Sequence, residues 1–449
     1  MLGKNLLEQF NTDAADGLFV RLYGAENMKT ARQRYSSLVE EFMRDTPDWF
    51  PRNKFPEADG DLRVFSAPGR TELGGNHTDH NRGKVLAASI QMDSVAVVAP
   101  RQDMKVFYRS KGHRDIEVDL SDLSIQPGER GNSEALIRGI AAGFREQGLN
   151  IGGFSANADP QVLTGSGLSS SASMEVLLGR IFDCLFNGGK TSALKIAQIG
   201  QKAENNYFGK PCGLMDQTAC ATGGAVAIDF ESAPQVTQIP FDLKELGTTL
   251  CVVNTGGNHA DLIEDYAAIP SEMKTVAGIF GKTVLRELDY ETILSNANKI
   301  RKVAGDRALL RALHFFQENN RVDAMFSALK DMDSSFLPED KQRAIGLFLI
   351  QVNRSGDSSW ELLQNIYPPL NPKEQGVSLA LALTRDFIVS SCRGHGACRV
   401  HGGGFAGTIQ AYIPTAALGE YRKRLEAFFG PGAVTVLSIR PVGAVEMEF

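Results

Sequence analysis

Residues 1–60 read as helical and polar. Leu2, Leu6, Leu7 and Phe10 make one apolar stripe at helical spacing, and Tyr35, Leu38 and Phe42 continue the pattern in a second segment. The stretch Pro51–Pro56 breaks it. From Val64 the texture changes to short apolar runs separated by Gly and Asn. Val64–Ala67, Ser94–Ala99 and Lys105–Tyr108 are predicted strands. Helical periodicity returns at 133–147 and 170–186, and a further helix is expected over 191–208. Strands are expected at 225–230 and 249–254. The region 282–350 is mostly helical, with Leu309, Leu310, Leu313 and Phe316 on one face. A helix at 372–391, a strand at 407–413, a helix at 415–429 and a strand at 433–439 complete the pattern. The expectation is an α+β protein with two lobes, joined near 230–250.

Composition narrows the class. The 449 residues carry 47 Lys and Arg against 53 Asp and Glu, a formal net charge of −6. An acidic balance without a basic cluster argues against nucleic acid as the main partner. Six cysteines with no CxxC pair read as thiols in a reducing compartment, not a disulfide framework. The first twenty residues hold one Lys and three acids with no continuous apolar stretch, so no signal peptide is expected. No apolar run reaches the roughly 18 residues that a spanning helix needs. The expected setting is cytoplasmic, with no membrane partner.

Four segments carry candidate chemistry. In Val162–Ser173 two alternating glycines precede three serines, and the apolar helix pattern starts within the serines. Glycines let backbone N–H groups converge, and a helix N-terminus adds its positive dipole end, so the pair makes an anion cradle. It is neither a Walker A loop nor a GxGxxG fingerprint. A Ser-capped helix after a glycine turn has the same composition. The second segment, Ala67–Asn81, packs polar and ionisable side chains around Gly74 and Gly75, which favours a binding loop over a core element. His77 and His80 suit hydrogen bonding better than metal ligation, since no Cys or third His lies near in sequence. In the third, Glu204 and, twelve residues later, Asp216 offer one carboxylate for Mg²⁺ and one for a base. The fourth, Arg399–Thr408, holds four glycines within six positions and cannot be a helix. Cys392, Cys398, His395 and His401 nearby do not match a zinc-finger spacing.

In this order and spacing the four segments resemble the GHMP kinase superfamily, and within it the galactokinases. Pro68–Asn81 is similar to the signature G-R-V-N-L-I-G-E-H-T-D-Y-N, and Gly165–Ser173 to the phosphate loop G-x-G-L-S-S-S-A. Gly213–Gln217 resembles G-I-M-D-Q, and Gly402–Gly407 the third, glycine-rich motif. The polar helical pattern is read as an N-terminal extension at 1–62, and the resemblance, which begins at about residue 63, implies an N-terminal kinase domain at 63–240 and a C-terminal one at 241–449. It implies an active site between the lobes and transfer of the ATP γ-phosphoryl group to the anomeric hydroxyl of a hexose. Asp216 would accept or orient the hydroxyl proton, and Arg70 would hold Asp216 ionised and offset charge on the phosphoryl group. Gly165, Ser166, Gly167, Leu168, Ser169, Ser170 and Ser171 would bind ATP, and Ser171 with Glu204 would hold Mg²⁺. Asn76, His77, Asp79 and Tyr266 would face the sugar.

The departures fall mostly on the sugar side. Asn76 stands where the family pattern has Glu, His80 where it has Tyr, and Thr71-Glu72 where it has Val-Asn. Replacing Glu by Asn exchanges a charged acceptor for an amide that both donates and accepts. Galactose therefore shares the field with another sugar, such as an amino-sugar or pentose. A non-catalytic sugar sensor on the same fold is the reading from a different class.

Overall fold

The computed structural model describes residues 3–49, 62–162, 167–243, 246–257 and 262–448. Leu2, the Pro51–Pro56 break, Gly165 and Ser166 lie outside the described residues. The chain opens with α1 (Gly3–Gln9), α2 (Asp13–Tyr23) and α3 (Met28–Trp49). Strands β1 (Arg63–Gly74), β2 (Lys84–Pro100), β3 (Lys105–Ser110) and β4 (Ile116–Asp119) follow, then α4 (Ser133–Glu146) and β5 (Phe154–Pro160). Next come α5 (Ser170–Phe186), α6 (Ala193–Ala203), α7 (Met215–Thr222), β6 (Ala225–Asp229), β7 (Gln235–Ile239) and β8 (Thr248–Asn254). A helical stretch holds α8 (Ile263–Gly278), α9 (Tyr290–Ser295), α10 (Ala297–Ala304), α11 (Asp306–Ser334), α12 (Pro338–Ser358) and α13 (Gly376–Cys392). The chain ends with β9 (Ala397–Val400), β10 (Thr408–Pro414), α14 (Leu418–Phe429), β11 (Val434–Leu437) and β12 (Val445–Glu446).

Among the described residues two sheets form. The eight-stranded sheet runs β12-β1-β2-β5-β3-β4, with β6 on β2 and β7 on β6, and the four-stranded sheet runs β11-β8-β10-β9. Strand β2 organises the first. Its early residues pair with β6 and its later ones with β5, while β1 lies along its other edge. Successive side chains of a strand point to opposite faces. Phe65, Ala67, Ala96 and Val98 therefore pack under the α4–α7 layer, whereas Val64, Val95, Val97 and Ala99 receive the N-terminal helices. Further up the same strand, Leu86, Ala88 and Ile90 meet Val322, Met325 and Leu329 of α11 and Phe348 of α12. These two helices also cover Leu250, Val252 and Tyr412 of the second sheet, so one apolar core joins the lobes. The opposite face of the second sheet is closed by α13 and α14 through Val377, Leu381, Tyr421 and Leu425. This is the α+β, two-lobed arrangement that the periodicity predicts.

Several expectations change in detail. Residues 67–74 of the second segment are not loop but the end of β1, and Arg70, Thr71 and Glu72 are buried there. Charged residues tolerate that position because each finds a partner of opposite sign, as described below. Early in α11, Ala308, Leu309, Ala312 and Phe315 are buried, while Leu310, Leu313 and Phe316 are only partly covered. Arg311, His314 and Glu318 share the buried side, so the buried face is broader than the apolar pattern and partly polar. The helix expected over 191–208 becomes α6 followed by a π-turn at Glu204–Phe208.

The N-terminal helices are joined to the sheet by charge as well as by the buried Leu6, Phe10, Tyr35, Leu38 and Phe42. Asp93 of β2 is fully buried and accepts hydrogen bonds from the hydroxyls of Tyr23 and Ser66. It also accepts from Arg34 Nη1 at 2.6 Å and from Arg440 Nη1 at 3.0 Å. Burial alone would raise this carboxyl, but Arg34 and Arg440 outweigh it and hold it below its ordinary value. Its stabilising contribution is thus present at neutral pH and lost as pH falls through the depressed value. Removing Asp93 leaves the buried Arg440 without a carboxylate partner, while Arg34 keeps its bond to Asp159. Asp93→Ala is expected to cost about 3–5 kcal/mol in urea denaturation, and Tyr23→Phe about 1 kcal/mol. An Asp93→Ala variant as stable as wild type would show that this cluster does not hold the helices to the sheet.

Candidate active site

The end of β1 and the start of α7 meet at one contact. Arg70 donates from Nε to Asp216 Oδ1 at 2.8 Å and from Nη2 to Oδ2 at 2.6 Å, a bidentate fork. Its third nitrogen, Nη1, donates to Gly167 O, and its backbone N–H reaches Leu168 O at 3.1 Å. The Ser169 hydroxyl donates to Asp216 Oδ2. Asp216 lies in the first turn of α7, where the helix dipole favours a negative charge. Burial pulls the Asp216 carboxyl up, but Arg70 and the Arg70 and Ser169 hydrogen bonds prevail and hold it below its usual value. At neutral pH it is a carboxylate. The Arg70 side chain is 7% exposed and that of Asp216 is 30% exposed, so the acid keeps an open side while the base beside it is walled in.

The turn into α5 supplies the next layer. Gly167 has φ +71°, and a Cβ there would crowd His401 Nδ1 at 3.0 Å and Thr408 Oγ1 at 3.2 Å. Ser169, at φ 60°, occupies the cap position of α5 in a left-handed conformation. It makes no capping bond and turns its hydroxyl to Asp216 instead. A helix N-terminus of this kind presents backbone donors and a positive dipole end to an anion. One residue into the helix, Ser171 Oγ lies 3.3 Å from Glu204 Oε1. Lys210 Nζ donates to the same oxygen at 3.2 Å, and Gln217 Nε2 donates to Glu204 Oε2 at 3.0 Å and Glu175 Oε2 at 2.9 Å. Burial and the neighbouring Glu204 push the Glu175 carboxyl well up. The π-turn falls at Glu204, whose carbonyl accepts from Gly209 N at 2.9 Å.

The remaining segments close the other side. Asn76 Nδ2 donates to Glu72 Oε1 at 3.1 Å and Gly402 O at 2.7 Å, and Asn76 Oδ1 accepts from Asn365 Nδ2 at 2.8 Å. Glu72 is also ion-paired with the buried Arg399. His77 Nε2 donates to Gly403 O at 2.9 Å, since a carbonyl can only accept. Burial pushes this imidazole down to about 4, so it is neutral. Asp79 Oδ1 accepts from His80 N at 2.9 Å, and its other oxygen lies against Gly213. Tyr266 donates to Gly404 O at 3.1 Å and packs edge-on against Phe405, ring centroids 5.5 Å apart. A side chain at Gly403 would collide with that Tyr266 ring. His401 is engaged on both ring nitrogens, with Thr71 Oγ1 at 3.0 Å and Thr408 Oγ1 at 3.1 Å. Cys392 and Cys398 are free thiols.

The structure thus brings all four sequence segments to one place, together with Tyr266. Gly165 and Ser166 lie outside the described residues. Sequence reasoning gave no role to Arg399, although it opens the fourth segment, and overlooked Asn365, which with Arg399 ties the glycine-rich turn to the signature segment, and Lys210 beside Glu204. Neither Asn365 nor Lys210 sits in a recognisable motif. The one readable signal was Arg399, three residues before the glycine run.

Comparison with known proteins agrees with this geometry. Residues 52–100 match the galactokinase galactose-binding signature, and residues 135–224 match the GHMP kinases N terminal domain. A galactokinase of Streptomyces coelicolor is 30% identical over 371 residues, covering 82% of this chain and 88% of that relative. A galactokinase of Clostridium tetani is 27% identical over 374 residues, with the same coverage of 82% and 88%. The crystal structure of Lactococcus lactis galactokinase complexed with galactose superposes with a TM-score of 0.74 at 25% identity, covering 92% of this chain and 100% of that chain. The Methanococcus jannaschii mevalonate kinase shares the fold, with a TM-score of 0.57 at 15% identity over 85% of this chain and 99% of that one. No helix among the described residues is long and apolar enough to cross a membrane. The chain belongs to the galactokinase family of GHMP kinases, and is an ATP-dependent sugar kinase.

Proposed function

We propose that this kinase transfers the γ-phosphoryl group of ATP to the anomeric hydroxyl of galactose, giving galactose 1-phosphate and ADP. The observation that carries the reading is the bidentate Arg70–Asp216 pair beside the N-terminus of α5. Phosphoryl transfer depends on positioning and charge neutralisation more than on covalent help from the protein. The Asp216 carboxylate accepts or orients the proton of the sugar hydroxyl while the new O–P bond forms and the bond to ADP breaks. Arg70 holds Asp216 ionised and offsets charge on the transferring group. Gly167 to Ser171 serve the ATP phosphates with the donors of the α5 N-terminus.

Ser171 Oγ and the Glu204 carboxylate would hold Mg²⁺. They form an oxygen donor pair of the kind this ion takes beside substrate phosphates. Bound there, Mg²⁺ supplies neutralisation of the phosphate oxygens. On the sugar side His77, Asp79 and Tyr266 line the site. Asn76 contributes from behind, since it is 1% exposed and links the signature segment to the Gly402 turn.

Purified protein with Mg·ATP is expected to release ADP with galactose, in a panel that adds N-acetylgalactosamine, glucose and arabinose. Asp216→Asn should lower turnover by about 10²–10⁴-fold while sugar and ATP still bind. Turnover only on another panel sugar would reassign the substrate, and a fully active Asp216→Asn would remove the base. The Asn76 geometry makes a separate demand. Asn76→Glu alone sets a second carboxylate against Glu72 and removes both amide donations, so it should cost about 3 kcal/mol or more in urea denaturation. Adding Glu72→Asn should recover at least half of that loss. A single variant as stable as wild type would mean that residue 76 does not hold the two segments together.

A further inference from the structure

The loop after β1 is strained and yet tightly held. His77 and Arg82 both have φ 59°, a conformation that side chains other than glycine adopt at a cost. Such conformations persist only where the surroundings over-determine them. Here the surroundings are the buried polar residues of α11. His314 Nε2 donates to Asn76 O at 2.9 Å, and its Nδ1 accepts from Ser358 Oγ at 2.8 Å. Glu318 Oε1 accepts from Gly75 N at 3.0 Å and from Ser355 Oγ at 2.6 Å, while Oε2 accepts from Arg321 Nε at 2.6 Å. Asn319 Oδ1 accepts from Lys84 N at 2.7 Å. His314 and Glu318, four residues apart, lie on one face of α11, and Asn319 lies about 100° round from Glu318.

These contacts have a direct mechanical meaning. The Asn76 carbonyl and the His77 N–H belong to one rigid peptide plane. Holding the carbonyl fixes the orientation of that plane, one side of the His77 φ torsion, while the ring is held by its own bond to Gly403 O. Glu318 fixes the peptide two planes earlier, and Asn319 fixes the point where the loop re-enters β2. The loop is thus gripped at both ends and at its strained residue. Placing a carboxylate and an imidazole on the buried side of a helix is costly, and an apolar stripe would serve packing alone at least as well.

We propose that His314, Glu318 and Asn319 are positioning residues for the sugar site, holding residues 75–84 so that His77 and Asp79 meet the sugar correctly. This rests on the galactose-kinase reading above, and its test separates the two. Steady-state kinetics would be measured for wild type, His314→Leu, His314→Gln and Asn319→Ala, varying galactose and ATP independently. Wild-type turnover on galactose tests the functional reading. For the positioning role, His314→Leu should raise the galactose KM by about tenfold or more, with the ATP KM within about twofold of wild type. His314→Gln keeps an amide N–H near the position of Nε2 and should restore most of the loss. Asn319→Ala should show the same split in KM and serves if His314→Leu does not fold. Equal rises in both KM values, or lower stability with an unchanged galactose KM, would overturn the proposal. A crystal structure of His314→Leu in which His77 keeps its left-handed φ would overturn it whatever sugar is used.

Discussion

The active site depends on keeping one carboxylate charged in a place where burial opposes charge. Taken alone, the surroundings of Asp216 would favour its protonated form. Arg70 reverses that with two parallel hydrogen bonds, and Ser169 adds a third from the α5 cap. The arrangement requires three pieces of chain to converge to within hydrogen-bond distance: the end of β1, the turn at Gly167 to Ser169, and the first turn of α7. Much of the surrounding architecture follows from that demand. Strand β1 must stay extended through Arg70, so it is fastened to β2 on one edge and to β12 on the other. The glycine turn must lie directly against Arg70, which is why the Arg70 backbone and side chain both bond to it.

The other buried charges obey the same logic in different ways. Glu72 is paired with Arg399 across the lobes, and Asp93 is shared among Arg34, Arg440 and two hydroxyls. Glu175 is pushed well up by burial and by Glu204, and the Gln217 amide bridges the two beside Ser171. Each buried charge also joins parts of the chain that are distant in sequence. Arg399 and Glu72 lock the glycine-rich turn to the signature segment, while Arg34 and Arg440 bring both ends of the chain to β2. Such pairs are weak sources of net stability but strong constraints on geometry, because an alternative packing would strand a charge.

The fold class and the location of the site were legible in the sequence; the connections between the parts were not. Alternation and periodicity revealed α4, α5, α13 and the later part of β2 because those elements bury one kind of surface on a regular repeat. They failed for the end of β1, where Arg70, Thr71 and Glu72 break the apolar pattern and are buried through long-range partners. They also fell short for α11, whose buried side mixes Ala308, Leu309, Ala312 and Phe315 with Arg311, His314 and Glu318. Tertiary pairing decides such positions, and no local window contains the partner. The same holds for Asn76. Its amide reads in sequence as a candidate for a sugar hydroxyl, yet in the structure Glu72, Gly402 and Asn365 engage it. Only the glycine-rich turns announced themselves, because their backbone geometry restricts which residues can occupy them.

The central claim is that Asp216 faces the reacting hydroxyl while Arg70 holds it charged. A crystal structure with galactose and a non-hydrolysable ATP analogue bound together tests this most directly. The account predicts the anomeric oxygen within hydrogen-bond reach of the Asp216 carboxylate, about 2.6–3.2 Å, with the terminal phosphorus in line beyond it and the Arg70 fork intact. A sugar bound with its anomeric oxygen out of reach of Asp216, or an Asp216 released from Arg70 and turned away, would contradict it.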